Sequence, residues 1–445
     1  MATRVIIVRH GQSSYNAQQK IQGRSDGSVL TEKGRLDAEK VGEALKSIEI
    51  AALYCSPLQR AKSTAEVIQS KLDNPPALQP TDRLLEIDLP IWENMVKEEV
   101  KAGFPREYRD WHDRPHEFKM ILADGSEHYP VLSLYEQAKE FWQDVIPRHQ
   151  GQTILIVAHN GINRCLLLSA IGIPVSRYHS IQQSNCCINV LNFTGDFGDP
   201  VQVESLNQTA HLGIPLPPPR PPFHGTRLLL VRHGETQWNR DKRFQGIRDI
   251  PLNENGKAQA LQAAKFLKET AIDNAVTSPL SRPKETAEII LQYHPNVTLD
   301  NRVDLTEICH GLWEGMLEEE IESNFPGMLH EWKVAPETVQ MPEGENLQQV
   351  WDRAIACWEE IVETYSAGDG PKTVMVVAHD AINKVILCYL LGLKPANFWY
   401  IKQGNGAVSV IDYPKGAGST PVIQAINITY HLGAGILDKT AAGAL

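Results

Sequence analysis

Residues 228–239 read LLLVRHGETQWN, and residues 5–16 read VIIVRHGQSSYN. Each stretch begins with four apolar residues, which predict a short buried strand, and continues into an Arg-His pair and a glycine turn. A strand that happens to end in polar residues explains one such stretch but does not explain two. The repeat therefore predicts that each half of the chain presents an Arg-His pair at the end of a strand for a functional reason.

The two halves of the chain match along most of their length. The matched segments are His10 with His233, Gln22-Gly23 with Gln245-Gly246, Leu30–Gly34 with Leu252–Gly256, Ser56–Arg60 with Ser278–Arg282, Glu86 with Glu307, Ala158–Asn160 with Ala378–Asp380, and His211–Gly213 with His431–Gly433. A repeat this long indicates duplicated domains, because solenoid repeats span about 20–50 residues. We expect one domain at 1–212 and a second at 226–445, joined by the proline-rich, extended linker 213–225.

In each half, continuous apolar strands alternate with helices. For the first half the predicted strands are 4–8, 51–55 and 153–158, and the predicted helices are 32–46, one with Pro57 in its first turn, and 161–171. Strands that are apolar throughout pack against helices on both faces, and strands that alternate with helices run parallel. The sequence therefore predicts the α/β class, with two tandem three-layer α/β/α domains that each contain a mostly parallel sheet.

The overall composition restricts the partners. The chain has 445 residues and a formal net charge of −11, which argues against nucleic acid and anionic membrane surfaces as general partners. The seven cysteines include no Cys-x-x-Cys pair, which favours a reducing compartment. The sequence enters a strand almost at its first residue and has no apolar run near the roughly 18 residues of a membrane span. We therefore expect a cytoplasmic protein.

Two His and two Arg are expected to converge in the first half, and their matches in the second. His10 and His159 directly follow predicted strands, and open α/β sheets bind ligands at the carboxyl ends of their strands. Arg9 precedes His10, and Arg60 lies near the start of the helix after another strand. Arg binds phosphate and carboxylate groups bidentately, so this set suits a small anionic ligand. Zinc is a rival ligand because His often binds it, but Arg rather than carboxylates or thiolates flanks these His, so we expect no metal site.

These residues resemble those of the histidine phosphatase superfamily, also called phosphoglycerate mutase-like, over nearly all of both halves. Its pattern is a strand with Arg-His-Gly, then Ser-Pro-Leu-x-Arg, then an acidic residue, then a strand that ends at a second His. The resemblance implies that His10 and His233 are nucleophiles that take the phosphoryl group, and that Glu86 and Glu307 donate a proton to the leaving oxygen and then help to activate water. The groups that would hold the phosphate are Arg9, Arg60, His159, Arg232, Arg282 and His379.

The resemblance also implies a substrate-contacting loop in each half. Its residues would be Asn16, Gln22 and Gly23 in the first half and Asn239, Gln245 and Gly246 in the second. The arginines would stabilise the charge on the transferring oxygens, a task that other phosphoryl-transfer enzymes give to magnesium. We therefore expect a small anionic phosphorylated metabolite as the partner, bound without a cofactor or metal ion.

The two halves differ between the acidic residue and the second His. The second half keeps the family's glycines at Gly311 and Gly315, whereas the first half has Pro90 and Asn94 there. We expect the segments 86–131 and 307–347 to cover the pocket and to decide which substrate each half accepts. The first half resembles the plant 2-carboxy-D-arabinitol-1-phosphatases, which are two-domain members of the superfamily, at Glu86–Leu89, His128–Val131, Ala158–Asn160 and Gln183–Cys186.

We interpret the chain as a metal-independent phosphomonoester hydrolase that acts through a phosphohistidine on small phosphorylated sugars or sugar acids, with 2-carboxy-D-arabinitol 1-phosphate as one candidate. A cofactor-dependent phosphoglycerate mutase would use the same residues but return the phosphoryl group to the product. The short stretch between the acidic residue and the second His favours hydrolysis, because such mutases usually carry a longer insertion there. A third alternative is one catalytic domain fused to a binding or regulatory copy.

Overall fold

The computed structural model describes residues 2–367, 370–433 and 435–440. The chain divides into two compact units, Met1–Pro217 (domain 1) and Pro218–Leu445 (domain 2). The division falls inside the proline-rich segment 213–225, whose exact bounds as a linker stay a prediction. Within the described ranges, no helix combines the length and the apolar composition that a bilayer crossing requires.

Domain 1 alternates strands with helices, as the apolar pattern predicts. Its strands are β1 (Thr3–Arg9), β2 (Ala52–Cys55), β3 (Leu78–Pro80), β4 (Met120–Ile121), β5 (Glu127–His128), β6 (Thr153–Ala158), β7 (Ile188–Phe193) and β8 (Val201–Gln208). Its helices are α1 (Ser14–Ala17), α2 (Glu32–Leu45), α3 (Gln59–Gln69), α4 (Lys97–Gly103), α5 (Pro105–Asp113), α6 (Pro130–Val145) and α7 (Asn160–Ala170).

Among its described residues, domain 2 repeats this order without the small β4–β5 hairpin. Its strands are β9 (Thr226–Arg232), β10 (Asn274–Thr277), β11 (Leu299–Asn301), β12 (Lys372–Ala378), β13 (Val408–Tyr413) and β14 (Val422–Ile428). Its helices are α8 (Gln237–Asp241), α9 (Glu254–Leu267), α10 (Ser281–Leu291), α11 (Glu318–Asn324), α12 (Met328–Val334), α13 (Leu347–Ser366) and α14 (Asp380–Leu391).

The sheet strands of domain 1 pair in the order β3-β2-β6-β1-β7-β8. β3, β2, β6 and β1 are parallel to their neighbours in this group, whereas β7 is antiparallel to both β1 and β8. Domain 2 has the same arrangement in the order β11-β10-β12-β9-β13-β14. The predicted α/β class with a mostly parallel sheet is confirmed in both domains, and the antiparallel strand pairs are an addition to it.

The central strands are covered on both faces. Residues 5–8 of β1 and 228–231 of β9 are all fully buried. Because successive side chains of a strand point to opposite faces, burial of every residue requires packed layers on both sides of the sheet. This is the arrangement that continuous apolar strands predict.

The start of α3 differs from the prediction. Pro57 was expected in the first turn of this helix, but the helix begins at Gln59 and Leu58 is its N-cap residue with an extended backbone. The hydroxyl of Ser56 accepts a hydrogen bond from the backbone N–H of Leu58 at 3.3 Å. This local turn holds Pro57 outside the helix and brings Arg60 into the first helical turn.

Candidate active site

The two predicted His of each domain come together at the carboxyl ends of adjacent strands. β1 and β6 are parallel neighbours, and their register pairs Arg9 with Ala158. His10 and His159 follow these residues, and their ring centroids are therefore only 5.2 Å apart. In domain 2 the register of β9 and β12 pairs Arg232 with Ala378. The rings of His233 and His379, which follow these residues, are also 5.2 Å apart.

A backbone contact determines which nitrogen of His10 is available. Nδ1 lies 2.7 Å from the carbonyl oxygen of Gly11, and because a carbonyl only accepts, Nδ1 carries the proton and Nε2 keeps its lone pair. Burial lowers the pKa of His10 well below its usual range, and the charges of Arg9 and Arg60 lower it further. The ring is therefore neutral at neutral pH, in the form that can act as a nucleophile. His233 has the same contact and the same lowered pKa.

Arg60 enters the site from the first turn of α3. Its side chain is fully buried, and Nη1 and Nη2 donate to the carbonyl oxygens of Ser25 and Gly23, each at 2.8 Å. Nε of Arg60 and Nε of Arg9 are buried and have no acceptor in the described part of the chain. Buried donors without acceptors beside a neutral imidazole form a site for an anion such as phosphate. Arg282 makes the equivalent backbone contacts in domain 2.

His159 lies at the N-terminus of α7. Its Nε2 is 2.7 Å from the hydroxyl of Ser56, and its buried Nδ1 has no partner among residues 2–367, 370–433 and 435–440. Burial lowers the pKa of His159 well below its usual range, and the charge of Arg60 adds to this effect. His159 thus keeps one polar ring atom available to a ligand. In domain 2, His379 contacts Ser278 at 2.8 Å.

Glu86 lies over the same helix N-terminus. Its Oε2 accepts from the backbone N–H of Gly161 at 3.0 Å, and its Oε1 accepts from that of Ile162 at 3.1 Å. A Cβ atom on Gly161 would lie 2.5 Å from Oε1 of Glu86, so the close approach of this carboxylate requires glycine. The predicted acidic residue is therefore held within one helical turn of His159.

Glu307 holds the equivalent position at the N-terminus of α14, but its electrostatic environment differs. Oδ1 of Asp380 is 3.1 Å from Nη1 of Arg232, and Oδ2 is 2.6 Å from Nζ of Lys384. Burial raises the pKa of Glu307, and the negative charge of Asp380 raises it further. Domain 1 has the neutral Asn160 in place of this carboxylate. The two acidic residues therefore differ in the charge beside them.

The predicted substrate loop lies next to Arg60, and its polar groups hold the loop together. Oδ1 of Asn16 accepts from the backbone N–H of Ser13 at 3.2 Å, and Oε1 of Gln22 accepts from the hydroxyl of Ser13 at 3.0 Å. Gly23 presents its carbonyl oxygen to Arg60. The structure thus brings these residues to the site. Contact with substrate stays a prediction for them and for their counterparts Asn239, Gln245 and Gly246.

Sequence reasoning missed two polar residues beside the site of domain 1. Asn185 donates from Nδ2 to the carbonyl oxygen of His10 at 2.9 Å. Arg164 is buried on α7, about one helical turn after Gly161, whose backbone N–H contacts Glu86. The guanidinium of Arg164 lies 5.3 Å from the ring centroid of Tyr178. The signal for Arg164 was present, because domain 2 also has a basic residue, Lys384, one turn after its second His.

The segment 86–131 of domain 1, which we call its cover segment, has Pro90 at the position of Gly311 in the cover segment 307–347 of domain 2. Gly311 of domain 2 has a φ of 55°, and a Cβ there would lie 2.0 Å from the carbonyl oxygen of Pro342. Proline cannot adopt a positive φ, so Pro90 excludes this close contact from domain 1. The β4–β5 hairpin lies in this region of domain 1 instead, with Nε2 of His128 3.1 Å from the carbonyl oxygen of Asp88.

The replacement of the second glycine by Asn94 keeps the backbone in the left-handed region. Asn94 has a φ of 68° where Gly315 has one of 90°. Asn is the residue other than Gly that most readily adopts this left-handed conformation. Of the two glycine replacements, only that by Pro90 therefore excludes the backbone conformation that domain 2 has.

The cover segment of domain 2 contains a histidine that burial keeps neutral. His310 is fully buried, and neither ring nitrogen has a partner in the described part of the chain. The rings of Phe244 and Trp332 pack edge-on against it at centroid distances of 5.2 and 6.2 Å. Burial lowers the pKa of His310 to about 3. Domain 1 has Leu89 at this position.

We expect His310→Leu to make domain 2 less sensitive to acid. Below an unfolded-state pKa of about 6.5 the unfolded chain takes up a proton at His310 that the folded domain excludes, so stability decreases as the pH falls below that value. At pH 4.5 this costs about 2–3 kcal/mol of unfolding free energy, which the variant avoids. Calorimetry at pH 7.5 and 4.5 should show a smaller loss of Tm for the variant than for His330→Leu, a control at an exposed position. Equal losses would contradict the prediction.

A family model matches both domains. The model described as histidine phosphatase superfamily (branch 1) matches residues 5–207 and 228–429. The chain belongs to this superfamily. Both matched regions contain the full set of His, Arg and Glu residues described above, so the predicted tandem arrangement is confirmed.

Similar proteins include phosphatases of one and of two domains. A 2-carboxy-D-arabinitol-1-phosphatase of Triticum aestivum is 31% identical over 443 residues, which cover 97% of this chain and 87% of that protein. Phosphoserine phosphatase 1 of Hydrogenobacter thermophilus is 36% identical over 208 residues, 46% of this chain and 94% of that protein. The solved structure of Bacillus stearothermophilus YhfR matches 46% of this chain and 99% of its own, with 28% identity and a TM-score of 0.43. The predicted enzyme class, a phosphatase, is confirmed.

Proposed function

We propose that each domain hydrolyses phosphomonoesters of small sugars or sugar acids through a phosphohistidine, at His10 in domain 1 and at His233 in domain 2. The observation that carries this proposal is the neutral, buried imidazole of His10, whose Nε2 keeps its lone pair beside guanidinium donors of Arg9 and Arg60 that lack acceptors among the described residues. In domain 2, Nε of Arg232 likewise lacks an acceptor there, whereas Nε of Arg282 donates to Nε2 of His233 at 3.3 Å. A phosphate group supplies the missing acceptors, and its phosphorus is an electrophile that an imidazole attacks.

The reaction proceeds in two displacements. Nε2 of His10 bonds to phosphorus as the bond to the ester oxygen breaks, and Glu86 gives its proton to that oxygen. Arg9, Arg60 and His159 stabilise the charge on the phosphoryl oxygens. Water then attacks the phosphohistidine, the ionised Glu86 takes its proton, and cleavage of the phosphorus–nitrogen bond releases phosphate. The corresponding residues in domain 2 are His233, Glu307, Arg232, Arg282 and His379.

The substrate class follows from the relatives and the site together. The relative from Triticum aestivum matches both domains and is named for 2-carboxy-D-arabinitol 1-phosphate, which makes this sugar acid a candidate substrate. The same polar set in both domains supports two catalytic domains rather than one enzyme fused to a regulatory copy. A phosphoglycerate mutase would use the same residues, so the fate of the phosphoryl group separates the two functions.

A phosphate-release assay tests the proposal. We expect free phosphate from p-nitrophenyl phosphate and from members of a panel of phosphorylated sugars and sugar acids that includes 2-carboxy-D-arabinitol 1-phosphate, with rates that a chelator does not change. Interconversion of 2- and 3-phosphoglycerate that 2,3-bisphosphoglycerate stimulates, without free phosphate, would show a mutase instead. Loss of activity in chelator that added metal restores would contradict the metal-free mechanism.

A further inference from the structure

A guanidinium beside the acidic residue occupies different sequence positions in the two domains. In domain 2 it belongs to Arg353 on α13, whose Nη2 donates to the carbonyl oxygen of Glu307 at 3.1 Å. Helices α6 and α13 align through their buried residues Trp142 and Trp358. This alignment places the uncharged Gln137 of domain 1 at the position of Arg353.

Domain 1 supplies a guanidinium from the loop that holds Arg60. Nε of Arg24 donates to the carbonyl oxygen of Glu86 at 3.1 Å, and Nη2 donates to Oε1 of Gln137 at 3.1 Å. The residue of domain 2 that matches Arg24 is Ile247, which is 43% exposed. The cation near the acidic residue thus comes from the substrate loop in domain 1 and from a helix in domain 2.

The two guanidinium groups also differ in their counter-ions. Arg353 forms a bidentate pair with Glu345, with both nitrogen–oxygen distances at 2.8 Å, so the protein neutralises its charge. The helix alignment places Tyr129 of domain 1 at the position of Glu345. The side chain of Arg24 forms no ion pair with a carboxylate of the described residues. The carboxylate of Glu93 accepts a hydrogen bond from the backbone N–H of Arg24, not from its guanidinium. Domain 2 has the same backbone contact between Ile247 and Glu314.

The loop that carries Arg24 contacts both the phosphate-binding Arg60 and the acidic residue. Arg60 donates to the carbonyl oxygens of Gly23 and Ser25, which flank Arg24 in the chain. Arg24 itself contacts the backbone of Glu86. If the phosphate of a substrate contacts Arg60 and its ester oxygen faces Glu86, its remaining groups can extend along this loop to Arg24.

We propose that Arg24 binds a carboxylate of the substrate in domain 1, so that domain 1 prefers phosphorylated acids. Domain 2, which has Ile247 there and a neutralised Arg353, prefers phosphomonoesters without this carboxylate. An unpaired guanidinium gains a charge-assisted bond from a carboxylate, whereas an isoleucine offers that group no donor. The inference rests on the proposed function, since it assigns different substrates to the two phosphatase sites.

The test measures one domain at a time in the full-length chain. His233→Ala leaves domain 1 as the active domain, and His10→Ala leaves domain 2. The substrates are 3-phosphoglycerate and glycerol 3-phosphate, which differ by a carboxylate against a hydroxymethyl group. In the His233→Ala chain, we expect Arg24→Ile to lower the ratio of kcat/KM for 3-phosphoglycerate to that for glycerol 3-phosphate about 10- to 100-fold. The change should lie in KM, and Arg24→Lys should retain part of the preference.

The reciprocal variant and a generic substrate separate the possible failures. Ile247→Arg in the His10→Ala chain should raise the same ratio in domain 2. If Arg24→Ile slows both substrates equally, the ratio stays unchanged, Arg24 only positions Glu86, and the carboxylate subsite is refuted. The subsite is also refuted if the substitution changes neither rate. If the His233→Ala chain does not hydrolyse even p-nitrophenyl phosphate, the proposed function of domain 1 fails and the subsite fails with it. Normal hydrolysis of that ester with an unchanged ratio refutes the subsite alone.

Discussion

The double variant His10→Ala/His233→Ala is expected to lose phosphate release from p-nitrophenyl phosphate, with kcat lowered on the order of 10⁴-fold or more. In each domain the substitution removes a neutral imidazole whose pKa burial and the nearby arginines lower. Water that enters the space is a far weaker nucleophile and cannot form the covalent intermediate that divides the reaction into two steps. Steady-state rates at saturating ester give the size of the effect.

The single variants test whether both domains turn over. His10→Ala and His233→Ala should each remove one part of the activity, and the acid-labile phosphoryl label trapped after rapid quenching should decrease with each substitution. His330→Ala, at an exposed position outside both sites, serves as the control and should behave like the unmodified chain. If one single variant removed all activity towards every ester, the other domain would not be catalytic. If the double variant kept a substantial rate, a different group would be the nucleophile.

The core of the site was predictable because chain neighbours and strand register determine it. His10 and His159 each follow a buried apolar strand, and the parallel pairing of β1 with β6 brings the two rings together. Arg60 follows β2 within one helical turn, so its position depends on the same sheet. Short-range sequence patterns therefore carry enough information for these residues, and the duplication supplies an independent check on each of them.

The antiparallel strands β7 and β8 were missed because polar residues interrupt their apolar pattern. Asn189 is fully buried, and its Nδ2 donates to the carbonyl oxygen of Ile7 at 3.0 Å and to Oε1 of Gln183 at 2.9 Å. The register between the two strands also shifts on either side of Val190. A buried asparagine that bonds a distant backbone looks like a loop residue in sequence, so alternation alone does not reveal the strand.

The arginine near the acidic residue was missed for a different reason. Arg24 and Arg353 both bond the carbonyl oxygen of the acidic residue, but one comes from a loop and the other from a helix more than a hundred residues further along its domain. When the two halves of the sequence are aligned, Arg24 matches Ile247, and Gln137 matches Arg353. These two differences look unrelated in the alignment. Their connection is a tertiary contact, which only the folded structure reveals.

Glu307→Gln, measured in the His10→Ala chain, is expected to slow alkyl phosphates far more than aryl phosphates. An alkoxide leaves poorly unless it is protonated, so kcat/KM for glycerol 3-phosphate should decrease about 10²–10⁴-fold. The p-nitrophenolate ion leaves without a proton, so kcat/KM for p-nitrophenyl phosphate should decrease less than about tenfold. Glu86→Gln in the His233→Ala chain is the matched variant in domain 1. Equal slowing of both esters would rule out proton donation by the substituted residue.

The pH dependence of domain 2 tests the same role through Asp380. Glu307 must be protonated to donate, and burial together with Asp380 raises its pKa, so hydrolysis of glycerol 3-phosphate should decline only as the pH rises through that raised value. Asp380→Asn removes the negative neighbour and lowers the pKa of Glu307, so the decline should move to lower pH. The kcat/KM profile for p-nitrophenyl phosphate, which reports the first displacement and whose leaving group needs no proton, should keep its position and serves as the control. Domain 1 has the neutral Asn160 at this position, so a shift in domain 2 would show that the charge at this one position sets the pH range of proton donation by Glu307.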